Sequence, residues 1–375
     1  MENNPFKKTP SFLFVGIGGS GCDAVKRVCE QMPFVPVLLI DTDNRNVQGV
    51  SDDRIFSVGE NVTNGLSCGG DVELGRQSIE KEASRLRARF DAVDLLLIVT
   101  GLGGGTGTGA TPVLVRIARE AKAQTLVLAS LPFAFEGKQR MNVSEDAIRR
   151  MRSNADAIVQ LPNERLKREA VGGTSEAAFS VSHRYMKDAA ESLWYMCSMN
   201  GQCGLDFASI HTLLRACDGF CHIASVEFSG IDQAEQASRA LLEHPLINRG
   251  LLLEGAAGVI ISIRGSHELR IEEVEIIMEQ LSNKLPEEAH INFGVSVDEK
   301  QSGLKVVTLI TEAWKEPLVE NEVSIFTSRS GFGQRELALG SSGNKGIFSG
   351  MDATVKNSED LDVPTYLRKN IKLPR

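Results

Sequence analysis

The sequence has no surplus of basic residues and no long apolar run, and each absence excludes a class of protein. Its 49 acidic and 41 basic residues give a formal net charge of -8, whereas sequence-independent binding to duplex nucleic acid requires Lys and Arg to neutralise phosphates. No stretch approaches the roughly 18 apolar residues of a membrane-spanning helix, and residues 1–10 are too polar for a signal peptide. We therefore expect a cytoplasmic protein that binds no nucleic acid and does not insert into a membrane.

Paired cysteine motifs and a P-loop are also absent. The seven cysteines include no C-x-x-C pair, and no Gly-Lys-Ser or Gly-Lys-Thr follows a glycine-rich loop. The segment from Cys217 to His222 lacks the ligand spacing of a zinc site, and we interpret it as helical. We expect reduced thiols, no metal site formed by the protein alone and no P-loop fold.

Short apolar runs alternate with amphipathic stretches between Ser11 and about Leu161, which is typical of a parallel sheet covered by helices. The apolar runs are continuous, as expected for strands that are buried on both faces. They are Phe12–Val15, Val37–Ile40, Leu95–Val99 and Thr125–Ala129. Between the second and third runs, apolar residues from Ile79 to Phe90 recur at helical spacing and predict one surface helix.

The second half of the chain has a different pattern. Residues 175–199 contain no Pro or Gly and predict a long buried helix, and the strands and helix that follow it predict an α+β domain. The predicted divisions are a disordered N-terminus (1–10), a nucleotide-binding domain (11–174), a central helix (175–200), the α+β domain (201–314), a flexible linker (315–358) and a partner-binding peptide (359–375). The predicted fold class is α/β, with a Rossmann-like parallel sheet in the first domain.

Two glycine-rich loops each follow a predicted strand. Gly16–Gly21 satisfies G-x-G-x-x-G, with Asp41 at the end of the next strand, and taken alone this fits an NAD-dependent oxidoreductase. The second loop, Gly103–Gly109, precedes a helix that we expect to start near Pro112. A dinucleotide fold has no use for a second loop, whereas two such loops at the ends of parallel strands form a double cradle for a chain of phosphates.

The second loop resembles the signature loop of the tubulin and FtsZ family, and the resemblance extends from about Phe12 to Thr311. The other segments that carry it are Gly16–Val25, Asp41–Asp43, Thr63–Arg76, Pro132–Arg140 and Leu161–Leu166. The resemblance implies a GTPase of the division ring that binds GTP or GDP, with Mg²⁺ expected on the phosphates, and that polymerises head to tail into filaments.

The resemblance also implies a set of nucleotide-site residues. They are Gly18, Gly19, Ser20, Gly21, Asp23, Asp43, Gly69, Gly70, Gly103, Gly104, Gly105, Thr106, Gly107, Thr108, Gly109, Glu136, Arg140, Phe179 and His183. Glu136 is suited to accept a ribose hydroxyl and Arg140 to meet phosphates, although an exposed i,i+4 ion pair is the alternative. Phe179 is expected to stack on guanine, with core packing as the alternative.

The sequence departs from the family pattern around the base. Asp23 stands where the family has Asn, and His183 stands where it has Asp or Asn. Either Asp23 accepts and His183 donates in exchanged roles, or the preference for guanine is relaxed.

A second departure concerns the loop that the resemblance assigns to catalysis, residues 204–209. Asp206 is retained, but Gly204 replaces Asn and Ser209 replaces Asp. Because a serine does not act as a base near neutral pH, we expect slow hydrolysis, with Asp206 and Ser209 as the candidate catalytic residues. Asp206 also suits a helix N-cap. A paralogue that binds GTP and scaffolds filaments without hydrolysing it remains the alternative.

Residues 361–369 are similar to the terminal peptide by which the family engages membrane tethers and regulators of division. A peptide of this kind on a flexible linker collects weak partners by avidity. The resemblance therefore implies a location at the division site, while a disordered tail with chance similarity is the alternative.

Overall fold

The computed structural model describes residues 11–170, 173–198, 220–297 and 303–312, together with the short pairs 355–356 and 359–360. Several sequence predictions fall outside these ranges. They concern the N-terminus, the catalytic candidates Asp206 and Ser209, nearly all of the linker, and residues 361–369. These stay predictions.

A ten-stranded sheet runs through the larger of the two units of the chain, Met1–Glu316. Its strands are β1 (Phe12–Ile17), β2 (Val37–Asp41), β3 (Ile55–Ser57), β4 (Leu95–Gly101), β5 (Gln124–Leu131), β6 (Ala157–Pro162), β7 (Phe220–Phe228), β8 (Ala256–Gly265), β9 (His290–Val297) and β10 (Leu304–Glu312). The spatial order is β3-β2-β1-β4-β5-β6-β7-β10-β8-β9. The first six strands are parallel, whereas β10 is antiparallel to both of its neighbours. The predicted α/β fold class is confirmed.

Helices connect these strands. They are α1 (Gly18–Gln31), α2 (Glu60–Thr63), α3 (Val72–Glu80), α4 (Ala83–Phe90), α5 (Gly105–Glu120), α6 (Lys138–Arg152), α7 (Asn163–Leu166), α8 (Ser175–Ser198), α9 (Gln233–Leu242), α10 (Leu251–Glu254) and α11 (Ile271–Ser282). The central helix predicted from residue 175 is confirmed as α8.

The parallel half of the sheet is buried on both faces. Phe14 and Leu97 pack with α1 and α8, while the next residues along the same strands, Val15 and Ile98, pack with the layer of α3, α4, α5 and α6. Successive strand residues point to opposite faces, so a strand covered on both sides must be apolar throughout. In the second half, α9 and α11 cover the face of β7, β8 and β10 that is turned away from α8.

Three local predictions were wrong. The single helix expected from Ile79 to Phe90 is two helices, α3 and α4, separated by two residues. Cys221 and His222 lie on strand β7 rather than in a helix, paired with β10. The helix after the second glycine loop starts at Gly105 and contains Pro112. Glycine has low helix propensity, so the sequence favours a loop there, but tight packing of this helix overrides propensity.

The smaller unit, Pro317–Arg375, is described only at two short strands. These are β11 (Val355–Lys356) and β12 (Glu359–Asp360), which pair antiparallel.

Candidate functional site

An open cavity of about 320 Å³ lies at the carboxyl ends of the parallel strands. This is the edge where the ends of β1, β4 and β5 meet the first turns of α1 and α5, and where α/β sheets bind ligands. The predicted site residues that line it are Gly18, Gly19, Ser20, Gly104, Gly105, Thr106, Gly107, Glu136, Arg140, Phe179 and His183. The structure thus brings both glycine loops, the Glu136–Arg140 segment and the start of α8 to one cavity.

The first loop turns directly into α1. Gly18 begins the helix with φ +70°, a conformation that side-chain-bearing residues rarely adopt. A Cβ on Gly18 would also lie 3.0 Å from the backbone nitrogen of Gly107, so the two loops touch where neither has a side chain. The free amides at the start of α1 and the helix dipole favour an anion in the adjoining cavity.

The second loop combines one strained glycine with several packing glycines. Gly103 has φ +102°, and its backbone N–H donates to Thr108 Oγ1 at 2.8 Å. A Cβ on Gly107 would lie 2.4 Å from the Gly101 carbonyl, and one on Gly109 would lie 2.0 Å from the Val72 carbonyl. Because Gly107 and Gly109 lack side chains, α5 sits directly against β4 and α3, and its N-terminus reaches the cavity.

Aromatic and polar residues of α8 also line the cavity. The ring of Phe179 is 36% exposed and lies at right angles to Phe133 and Phe135, with centroids 5.4 and 6.0 Å away. His183, one turn further along α8, has its Nδ1 3.2 Å from Asp23 Oδ2. Burial lowers the pKa of His183, against the opposing effect of the Asp23 carboxylate. The imidazole is therefore neutral near pH 7.

Glu136 and Arg140 form the ion pair that the sequence left as an alternative, and both line the cavity. Arg140 Nη1 donates to Glu136 Oε2 at 2.7 Å, and the second carboxylate oxygen accepts the backbone N–H of Phe133 at 2.8 Å. The Glu136 side chain is mostly buried while that of Arg140 is 54% exposed. Glu136 is therefore fixed in place, and Arg140 has freedom to turn toward a ligand.

The other predicted residues do not line the cavity. Four of them, Gly21, Gly103, Thr108 and Gly109, belong to its supporting wall. Gly69 and Gly70 lie in an exposed turn with positive φ, and Asp23 lies beside His183, which does line the cavity. Asp43 is buried and accepts hydrogen bonds from the side chain of Arg45, which lower the pKa of its carboxyl group.

Sequence reasoning did not assign several polar residues that line the cavity. Asp41 ends β2, Ser130 lies near the end of β5, and Asn163 follows β6 directly. Asp41 Oδ2 accepts from the side chain of Asn46 at 2.7 Å, and Asn163 Oδ1 accepts from Ser182 at 2.7 Å. The sequence analysis noted Asp41 at a strand end but did not assign it to the nucleotide site. The same position, at the carboxyl end of a parallel strand, is the signal that could have found Ser130 and Asn163.

Two features are missing from the described ranges. No cluster of three or more His, Cys, Asp or Glu residues there is arranged to hold a metal ion. No helix in the same ranges combines the length and the hydropathy needed to cross a bilayer.

Comparison with known proteins identifies the family. Residues 11–170 match the model of the Tubulin/FtsZ family, GTPase domain, and residues 219–314 match that of the FtsZ family, C-terminal domain. Cell division protein FtsZ of Buchnera aphidicola subsp. Acyrthosiphon pisum (strain APS) is 30% identical over 382 residues, which cover 98% of each chain. The chain belongs to the tubulin/FtsZ family.

Solved structures agree with this assignment. A point mutant of FtsZ from M. jannaschii superposes with a TM-score of 0.75 at 28% identity, covering 81% of this chain and 92% of that one. A structure described as an empty FtsZ dimer of M. jannaschii gives 0.74 at 28% identity, with coverages of 82% and 89%. This FtsZ-family chain is a GTPase with a guanine-nucleotide-binding domain. The interpretations as a non-hydrolysing paralogue and as an NAD-dependent oxidoreductase are not favoured.

Proposed function

We propose that this chain binds GTP in the cavity between its two glycine loops and uses the nucleotide to assemble head to tail into filaments of the cell division ring. The observation that supports this most directly is the contact of Gly18 with Gly107, which joins two helix N-termini at one cavity. Two helix N-termini and unobstructed backbone amides suit a triphosphate.

The phosphate end of the cavity also suits the Mg²⁺ that accompanies a nucleoside triphosphate. Ser20 and Asp41 line the cavity and carry hydroxyl and carboxylate oxygens, the ligand type that Mg²⁺ prefers. The ion would be held chiefly by the phosphates, with these side chains as the protein's contribution and Arg140 as a further counter-charge.

The base would lie at the other end, against Phe179. Guanine presents the N1–H and N2–H donors together, and a carboxylate is the acceptor best suited to both. One oxygen of Asp23, Oδ2, already accepts from Arg27 Nε at 2.9 Å and lies 3.2 Å from His183 Nδ1. We assign Asp23 Oδ1 as the acceptor for guanine and His183 as the group that orients the carboxylate beside the base.

Exposed apolar side chains near the nucleotide site suit a contact with the next subunit. Leu66 is 62% exposed and Phe135 is 52% exposed. Leu66 adjoins Ser67, which lines the cavity, and Phe135 adjoins Glu136. The partner surface would include residues 204–209 of a second copy, in a heterologous contact that propagates rather than closes.

Hydrolysis would be slow. The segment 204–209 retains Asp206 but has Ser209 where the family has a second Asp, and loss of a positioned base typically reduces rate about 10²- to 10⁴-fold. Residues 361–369 would recruit the membrane tethers and regulators that place the filaments at the division site.

The test is nucleotide competition followed by turnover. GTP should displace a bound fluorescent GDP analogue far better than ATP does, and sedimentation should show GTP-dependent polymer with slow phosphate release. Ser209→Asp should raise turnover at least about tenfold, and Asp206→Asn should abolish it. Equal displacement by ATP would contradict the proposed base recognition, and brisk wild-type turnover would contradict the proposed slow hydrolysis.

A further inference from the structure

Cys68 is a buried residue directly behind the phosphate end of the cavity. The preceding residue, Ser67, lines the cavity, while the Cys68 side chain is turned inward and is 4% exposed. A Cβ placed on Gly105 would lie 2.6 Å from Cys68 Cβ, so Cys68 packs against the first residue of α5. Its thiol is therefore next to the backbone that would receive the phosphates.

Three side chains from separate parts of the chain form a closed ring at this point. Thr42 Oγ1 is 2.8 Å from Thr106 Oγ1 and 3.3 Å from Cys68 Sγ, and Thr106 Oγ1 donates to Cys68 Sγ at 3.5 Å. Each group has one proton and can also accept one. In the one consistent arrangement, Thr106 donates to Cys68, Cys68 donates to Thr42, and Thr42 donates to Thr106. Each of the three buried groups then both donates and accepts one hydrogen bond.

Of the three residues in the ring, Thr106 is the one that lines the cavity. Thr42 is fully buried and Thr106 is 7% exposed. The side-chain oxygen of a threonine occupies one of a few staggered positions, and the rotamer decides whether the oxygen or the methyl group faces a neighbour. Bonds to both Thr42 and Cys68 fix this rotamer before any ligand arrives.

We propose that Cys68 and Thr42 are positioning residues that hold the Thr106 hydroxyl ready for the nucleotide phosphates. The inference rests on the proposed function, because it concerns the same cavity. When Thr106 turns its proton to a phosphate, its oxygen still accepts from Thr42, and the Cys68 thiol still donates to Thr42. The chain of donors strengthens the bond from Thr106, since linked hydrogen bonds polarise one another.

The substitution Cys68→Ala tests this directly, because alanine keeps the Cβ that packs at Gly105 and removes only the thiol. We expect GTP affinity, measured by displacement of a fluorescent GDP analogue, to fall about three- to tenfold, the loss typical of one hydrogen bond. Cys68→Ser should restore most of the affinity, since serine both donates and accepts. Cys29→Ala is the matched control: its half-buried thiol on α1 takes no part in the ring, and its affinity should equal that of the wild type.

A double-mutant cycle separates positioning from general structural damage. In a Thr106→Val background, which has no hydroxyl to orient, Cys68→Ala should cause no further loss of affinity. The inference is overturned if Cys68→Ala binds GTP as the wild type does, if serine fails to restore affinity, or if the loss persists beside Thr106→Val. Failure of the wild type to bind GTP would instead overturn the proposed function.

Discussion

The central helix α8 meets the two halves of the protein through contacts of opposite character. Toward the first half, Trp194 stacks on Phe14 at 5.5 Å and meets the edge of Phe12 at 5.5 Å. Toward the second half, one part of the contact is apolar and includes Leu309, and another part is formed by charged side chains. Packing that is apolar and close fixes one arrangement, whereas buried charges are costly unless they are well paired.

The ionic part of the contact is a row of three charges on neighbouring strands. Glu227, Lys305 and Arg264 lie directly opposite one another across β7, β10 and β8, so they share one face of the sheet. The guanidinium of Arg264 lies 3.8 Å from the centre of the Tyr195 ring, which places the row against α8. The helix contributes further charges at Lys187, Asp188 and Glu191.

Pairing within this layer is poor. Nε and Nη1 of Arg264 are buried and have no hydrogen-bond partner among the residues that the structure describes. Glu191 Oε1 lies 3.4 Å from Lys187 Nζ but not in hydrogen-bonding geometry. Burial raises the pKa of Glu191 and lowers the pKa of Lys305, which means that the fold disfavours the charged form of each. The comparison shows that α8 is anchored firmly to the first half and only weakly, in this layer, to the second.

The largest effect is expected on the apolar side. Trp194→Ala removes the ring that packs on Phe12 and Phe14, and it should lower the free energy of unfolding by about 3–5 kcal/mol. Denaturant titration followed by circular dichroism measures this loss, with Trp194→Phe as a control that should lose much less. A loss below about 1 kcal/mol would show that the aromatic contact is not the anchor.

A smaller effect of opposite sign is expected on the ionic side. Replacing Glu191 by Gln together with Lys305 by Met removes one buried charge of each sign, and it should raise the free energy of unfolding by about 1 kcal/mol or more. Lys305→Met alone should raise the free energy of unfolding by less, because it removes one of the cations that favour the charged form of Glu191. A double variant that is clearly less stable than the wild type would show that these charges stabilise the contact between α8 and the second half.

The smallest effect is a dependence on pH. Because the folded-state pKa of Glu191 is raised, its protonated form favours the fold, and that contribution is complete below the ordinary pKa of a glutamate and is lost as pH rises through the raised value. Glu191→Gln should therefore match the wild type in thermal midpoint at a pH well below the ordinary glutamate pKa of 4.5, and exceed it once the pH has risen through the raised value. A difference that is constant across this range would mean that Glu191 does not titrate as inferred.

The features that could be predicted from the sequence are those encoded by patterns among neighbouring residues. The two glycine loops and the uninterrupted apolar stripe of α8 are local patterns, and both elements lie where they were expected. The start of α5 at Gly105 was missed because the reason for it is a close approach to Cys68 and Asp71, which no local pattern records.

The same limit applies to contacts between distant segments. His183 was predicted to read the base, but its contact with Asp23 depends on how α8 lies against α1. The ring of Thr42, Cys68 and Thr106 joins a strand end, a loop and a helix start. Residue types alone gave no reason to connect them.

The order of the strands also bears on how the protein is made. Strands β1 to β6 come from residues 12–162, and within the described residues two residue pairs, Ile158 with Phe220 and Val159 with Cys221, join them to the rest of the sheet. The ribosome releases the N-terminal half first, and domains tend to fold as units during synthesis. All six strands of the GTPase half are therefore synthesised before residue 220. Until then β6 is the edge strand of this sheet, and β7 pairs with it once it is made.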